Sequence, residues 1–504
     1  MEKKSKKNKI ITDVLILLTI AIVAISSIFI NPISNLDEIW NFNFSRNIAN
    51  GLIPYKDFNI VQMPLLAIIC GVILKIFGTE LIVMRLLAVL LMCLTFFMAY
   101  KILKKLLPKN GPMFVIVILL ALYKSVMCID YNYAVLLTAL ILLFIELKNI
   151  KENTFEYSFK YNFFLGIIAG ISILFKQTTG IAVAMACIGY KIFEIRKKEE
   201  IKEFLKIAIT RFAGALIPVI VFFVYLVING AVSDFINYAI LGIRTFSNKI
   251  SYSNLLESGN ISYLATIVPI ALVMMFVFLF KKNTPKELYI IFAYSISTFI
   301  VAFPISDNIH FLIGSMISFI GISYMIYECF IKNFKKESNE QLKRNIYISI
   351  SFISIFLLLF LLWNSLLEIK YKYVLTEKET ELQHFKNIPE NKELKECINT
   401  IDEYILQEES NGKKVYILDA SSAIYYIPLN KYNKDYDMFL KGNLGGEDED
   451  GIIERIKHEK DAIYLIKKNG LNWQNPNKVR EYILNNLEEN GEILFFWIFN
   501  SSLE

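Results

Sequence analysis

Apolar runs of about twenty residues recur from Thr12 to Trp363, separated by short polar or basic stretches, and they stop beyond Lys370. A helix of about twenty apolar residues crosses a hydrocarbon core of roughly 30 Å. The pattern therefore predicts an all-α membrane domain over residues 1–369 and a soluble domain over 370–504. About eleven spans are expected, near 10–30, 81–103, 112–129, 132–147, 161–175, 179–194, 206–228, 262–280, 287–303, 309–330 and 345–363. Within a first outer loop, 31–80, the run Met63–Phe77 is only fifteen residues long and contains Lys75. That length suits a juxtamembrane, interfacial helix better than a span. In the tail the period changes. VYILDA (Val415–Ala420), AIYLI (Ala462–Ile466) and ILFFWIF (Ile493–Phe499) are β-prone, and Gly451–Lys457 and Lys478–Leu487 between them have helical spacing. Such alternation predicts an α/β domain with a parallel or mixed sheet. Residues 370–410 are expected to be helical, and GNLGG (Gly442–Gly446) is expected to be a loop, since it lacks the strand–GxGxxG–helix context of a dinucleotide site.

Composition agrees with a membrane protein: 55% of residues are apolar and the mean hydropathy is +0.46. The net charge of +6 conceals an asymmetry, because residues 370–504 carry −7 and the membrane part +13. Placing the basic N-terminus MEKKSKKNK in the cytoplasm and keeping Met63–Phe77 interfacial puts 26 Lys and Arg on the cytoplasmic side and 7 outside, before the tail. Positive charge favours the cytoplasmic side, so the charge surplus reports topology and not nucleic-acid binding. The first run lacks an A-x-A-like site and reads as an uncleaved helix. The last span then delivers the tail to the outside of the cell membrane. Six cysteines without CxxC or Cys/His spacing support neither a disulfide framework nor a zinc site. No nucleophile elbow or Walker lysine is present.

This topology gathers the unusual polar residues on the outer side. Asp37 and Glu38 follow the first span; Tyr55, Lys56 and Asp57 follow in GLIPYKDF; Asp130, Tyr131 and Asn132 occupy the turn CIDYNY; Lys176 and Gln177 end a span; Asp307 and His310 lie in PISDNIH. Each has an ordinary structural reading. The acidic pair suits a solvated loop, Lys176 can snorkel, Asp307 can cap the next helix, Asp130 and Asn132 form turns, and Arg85 can anchor at headgroups. Together they also suit transfer from a lipid phosphate. A carboxylate takes the proton of an attacking hydroxyl, another stabilises oxocarbenium character in the sugar, and a cation stabilises the departing phosphate.

The stretch LDEIWNFNFSRNIANGLIPYKDFNIVQMPL, followed by an apolar helix ending in FG and then MRLLAVLL, resembles the start of the GT-C glycosyltransferases. It is most similar to the branch of protein mannosyltransferases and lipid A aminoarabinose transferases. The matching positions are Asp37 with Glu38, Gly51, Pro54, Tyr55, Asp57, Pro64 with Leu65, and Arg85. The resemblance covers roughly 1–365; the tail has no evident match to the periplasmic domain of the aminoarabinose transferases. It implies an inverting hexosyl- or pentosyltransferase that moves a sugar from a polyprenyl-phosphate donor to a cell-envelope acceptor. It implies Asp37 as general base beside Glu38, and Lys176 with Arg85 at the donor phosphate. Tyr55, Asp57, Asp130, Tyr131, Asn132, Gln177, Asp307 and His310 would line the substrate cavity. It implies no cofactor, and no residue set demands a metal. The alternative is a transporter or flippase of lipid-linked glycans, which would carry charges near the bilayer midplane and repeated broken helices.

Overall fold

The computed structural model describes residues 2–33, 36–152, 158–195, 197–245, 250–257, 259, 261–281, 284–332, 340–469 and 475–501. In chain order the helices of the apolar region are α1 (Glu2–Ile28), α2 (Leu36–Ala49), α3 (Leu65–Phe77), α4 (Leu81–Leu106), α5 (Gly111–Tyr123), α6 (Tyr131–Glu152), α7 (Phe159–Phe175) and α8 (Gln177–Gly189). They continue as α9 (Lys198–Ile228), α10 (Val232–Phe235, prolonged by a π-turn to Leu241), α11 (Tyr252–Glu257), α12 (Ser262–Leu279), α13 (Lys286–Phe299), α14 (Asn308–Ile326) and α15 (Glu340–Glu368). Each expected span falls on one of these helices. Seven of the described helices, α1, α4, α6, α9, α12, α14 and α15, are long and apolar enough to cross a membrane; α5, α7, α8 and α13 are shorter. The expected interfacial helix is α3.

The described residues form two compact units. The first comprises Met1–Ile30, Leu87–Phe222 and Ile250–Val374, and its described residues form helices joined by turns. Ile209, Phe212, Ile220 and Val221 of α9 and Phe352, Phe356, Phe360 and Trp363 of α15 are exposed. So much apolar surface is stable against lipid and not against water. Inside, α7, α8 and α9 approach backbone to backbone. A Cβ at Gly180 would lie 2.2 Å from the Ser172 carbonyl, one at Gly166 2.1 Å from the Arg211 carbonyl, and one at Gly214 2.2 Å from the Phe163 carbonyl. Small residues permit such contacts between membrane helices, where packing replaces the hydrophobic effect as the driving force. The α7–α8 hairpin is tight for this reason, and Lys176 is its extended corner residue, with φ −154°.

The second unit comprises Asn31–Leu86, Phe223–Lys249 and Leu375–Glu504. Its sheet has the order β1 (Lys414–Leu418), β2 (Ala462–Lys467), β4 (Phe496–Asn500), β3 (Glu488–Ile493). β1 and β2 are parallel, and the other two pairings are antiparallel. The sheet is thus mixed. Its core joins Leu418, Tyr464 and Phe499 to Ile452 and Ile456 of α18 (Asp448–His458) and to Val479 and Ile483 of α19 (Asn477–Asn486). α16 (Lys392–Ser410) and the short α17 (Ala423–Tyr426) complete this domain. The expectation of helix over 370–410 is corrected: residues 375–391 fold into bends, with Glu379 N donating to the Ile388 carbonyl at 2.9 Å. GNLGG is a loop, as expected. Gly442 and Gly445 have φ +91° and +86°, and a Cβ at Gly445 would lie 2.7 Å from Asn237 Nδ2, so the α10 segment requires glycine there.

Candidate functional site

The first outer loop contains a helix that apolar periodicity does not announce. α2 is buried along most of its length, including Glu38, Asn41, Asn43, Ser45, Arg46 and Asn47. It stops where Gly51 takes φ +91°, with Leu52 N donating to the Asn47 carbonyl at 3.0 Å. Asp37 and Glu38 stand in its first turn, where the helix dipole favours negative charge. Asp37 is half-buried. Glu38 is buried and accepts two bonds from Arg85, Nε to Oε1 at 2.8 Å and Nη2 to Oε2 at 2.9 Å. Arg85 also donates to the Asn31 carbonyl at 2.6 Å and the Pro32 carbonyl at 3.2 Å. This bidentate pair neutralises both residues and ties the chain after α1 to the start of α4.

Tyr55 and Asp57, expected along a cavity, are committed to the fold of their own loop. Tyr55 is fully buried at φ +69° and donates its hydroxyl to the Gln62 carbonyl at 2.8 Å. Asp57 Oδ2 accepts from Ile53 N at 2.7 Å, and Lys56 reaches the Asn229 carbonyl at 3.0 Å.

In the helical unit, residues of three separate turns come together. Asn132 N donates to Asp130 Oδ1 at 2.5 Å. Lys176 donates to Asn132 Oδ1 at 2.8 Å and lies 5.2 Å from the centre of the Tyr131 ring. Gln177 is the first residue of α8. Burial raises the Asp130 carboxyl above the usual carboxylate range, opposed by the nearby His310 and Lys176. Asp307 caps α14: its Oδ1 accepts from His310 N at 2.8 Å and contacts His310 Nδ1 at 2.9 Å. Burial opposes ionisation of Asp307, but the bonds from His310 outweigh it and hold this carboxyl below its usual range. The expected polar cluster therefore exists here as a buried acid, an amide, a lysine and a histidine–aspartate pair. Asn132 Nδ2 is buried without a hydrogen-bond partner. Among the described residues no three His, Cys, Asp or Glu side chains gather as a metal site requires.

Two groups of residues escaped the sequence reading. Glu146 of α6 and Arg211 of α9 form a buried pair at 3.0 Å. Asn162 of α7, Tyr294 of α13 and the Cys187 carbonyl of α8 add further bonds to it. Opposite charges inside two apolar runs were the available signal. The second group is Trp40, Asn43 and Arg46 on α2, which bond to the tail and have no counterpart visible in a linear pattern.

A family model described as dolichyl-phosphate-mannose-protein mannosyltransferase matches residues 61–234. No curated protein matches the chain. Among solved structures, ArnT from Cupriavidus metallidurans bound to undecaprenyl phosphate is similar, with a TM-score of 0.56 at 13% identity over 99% of this chain and 98% of that one. The same protein in its apo state gives 0.59 at 12% identity over 98% of each chain. The likeness thus runs through the C-terminal domain, where no sequence match was evident. This multi-pass membrane protein therefore has the fold of ArnT, and its stretch 61–234 matches the mannosyltransferase family model.

Proposed function

We propose that the chain transfers a sugar from a polyprenyl-phosphate carrier to a cell-envelope acceptor, a glycan, lipid or protein, at the outer face of the cell membrane. The N-terminus lies in the cytoplasm and the tail outside, as the distribution of Lys and Arg favours. The observation that carries the reading is the end-to-end fold likeness to ArnT, whose structure holds undecaprenyl phosphate.

Asp37 is the general base. It stands half-buried in the first turn of α2, beside the Glu38–Arg85 pair, and a carboxylate so placed can accept the acceptor's proton as the new bond forms. Glu38 and Arg85 act as a positioning pair and not as base and phosphate ligand, since each already neutralises the other. Lys176 supplies positive charge for the departing lipid phosphate, where a partly desolvated cation is worth most. Asn132 holds it in place, and Asp130, Tyr131, Gln177, Asp307 and His310 are substrate-contacting residues on the same outer turns. The acceptor oxygen bonds to the anomeric carbon as the bond from that carbon to the lipid phosphate breaks, and this single displacement passes on the sugar, a hexose or pentose, with inverted configuration.

The test is sugar release from a panel of radiolabelled polyprenyl-phosphate sugars in liposomes. Wild type should transfer or hydrolyse at least one donor, and Asp37→Asn should lose that turnover while still binding the donor. Equal turnover by both proteins would remove Asp37 from the role of base. Absence of both binding and turnover would sink the transferase reading and favour transport.

A further inference from the structure

α2 presents an unusual problem: most of its side chains are buried, and many of them are polar. Buried polar groups need partners. One face of the helix finds them in a single crossover of the C-terminal domain, the segment that leaves the carboxyl end of β1 and leads to α18. Trp40 Nε1 donates to the Ala420 carbonyl at 2.7 Å. One turn on, Asn43 Nδ2 donates to Asp437 Oδ2 at 3.2 Å. One turn further, Arg46 donates Nη2 to the Lys431 carbonyl at 2.6 Å and Nη1 to the Ile427 carbonyl at 3.2 Å and Asn430 Oδ1 at 3.4 Å. The three donors are spaced by three residues and so share one helix face. Arg46 is fully buried, and its planar fork satisfies two carbonyls at once, a geometry that lysine lacks.

We propose that the C-terminal domain is a positioning device for the candidate base, with Arg46 as its principal pin. By fixing α2 along one face, the crossover 419–437 sets where the first turn of the helix, and with it Asp37, stands. This inference rests on the reading of Asp37 as base. It assigns the tail a role in the rate of the chemical step and not in donor affinity. Asp437 and Asn43 form the second pin and Trp40 the third, nearest to Asp37. Arg46, Asn43, Trp40 and Asp437 are positioning residues, since none is placed at the reacting atoms.

The experiment uses the full chain in liposomes with the active polyprenyl-phosphate sugar and compares wild type, Arg46→Ala, Arg46→Lys and Trp40→Phe. Two readouts are taken: kcat and KM for the donor, and hydrogen–deuterium exchange of residues 36–49 against α6 and α14. Misplacing a reacting group by an ångström costs about a hundredfold in rate. Arg46→Ala should therefore lower kcat by that order with donor KM unchanged, and exchange should rise in 36–49 alone. Arg46→Lys should recover part of kcat, and Trp40→Phe, which removes one bond and should fold even where Arg46→Ala does not, should lower kcat severalfold. Faster exchange in 36–49 with unchanged kcat would overturn the proposal, as would a fall in kcat matched by faster exchange everywhere. If wild type neither bound nor turned over any donor, the transferase reading would fall. The exchange data would then decide separately whether the crossover orders α2.

Discussion

Removing Arg85 should damage the protein far more than removing Arg85 and Glu38 together. Both side chains are nearly inaccessible, 1% and 9% exposed, and the carboxylate accepts two bonds from one guanidinium. Deleting the arginine leaves Glu38 charged, buried and without its guanidinium partner. Breaking a buried pair in this way costs about 3–5 kcal/mol. Replacing both residues with apolar side chains of similar volume removes the pair and its desolvation cost together and is often close to neutral. For a unit of about two hundred residues each kcal/mol shifts the midpoint by roughly 2–4 °C. Arg85→Met should therefore lower the thermal midpoint by about 6–20 °C, as should Glu38→Leu to a similar degree, while Glu38→Leu/Arg85→Met should recover most of the loss. The assay is intrinsic fluorescence on heating in detergent at one fixed scan rate, since membrane proteins often unfold irreversibly. Losses that simply add in the double variant would refute the reasoning. Donor turnover supplies a second criterion. If Glu38 only positions, the double variant should keep measurable kcat, whereas a base cannot be restored by a compensating change.

Asp307→Ala should destabilise α14 by about 0.5–2 kcal/mol through loss of its cap, seen as a lowered midpoint, and asparagine at the same position should restore most of it. Gly180→Val should prevent correct assembly of the α7–α8 hairpin, because its side chain would meet the Ser172 carbonyl; well-dispersed protein on size exclusion would contradict this. Burial lifts Asp437 to about 7, with Asn43, Asn433 and Arg46 facing it. The folded state thus holds a proton that the unfolded chain releases near 4, so stability falls by about 1.4 kcal/mol per unit as pH rises towards 7 and is level above it. Asp437→Asn, which keeps an acceptor for Asn43, should remove that contribution between pH 5 and 7.5 in thermal scans. Asp402 of α16, also raised to about 7 by burial, should add a second slope of similar size that Asp437→Asn leaves in place. An unchanged slope would show that Asp437 does not ionise in this range.

What the sequence revealed and what it hid follow one physical rule. Elements that bury an apolar stripe in lipid or against a sheet announce themselves by periodicity, and so the expected spans, the interfacial helix and three strands coincide with structured segments. β3 was missed because EENGEI is an exposed edge strand with no apolar face. α2 was missed for the opposite reason. Its buried face includes Asn43 and Arg46, and the partners of these two lie nearly four hundred residues away in sequence. A window scan reads such a helix as a polar loop. The candidate site divides in the same way. Asp130, Asn132, Lys176 and His310 stand out because charge at span ends is costly, and they do converge. The difference between Asp37 and Glu38 is invisible in the dipeptide and is set by Arg85, which one helix of the fold brings to the second acid and not to the first. Adjacent residues on a helix point about 100° apart. A helical first turn is therefore sufficient to aim Glu38 at Arg85 and turn Asp37 another way. Had these residues formed the solvated loop that their polarity suggests, nothing would distinguish the two.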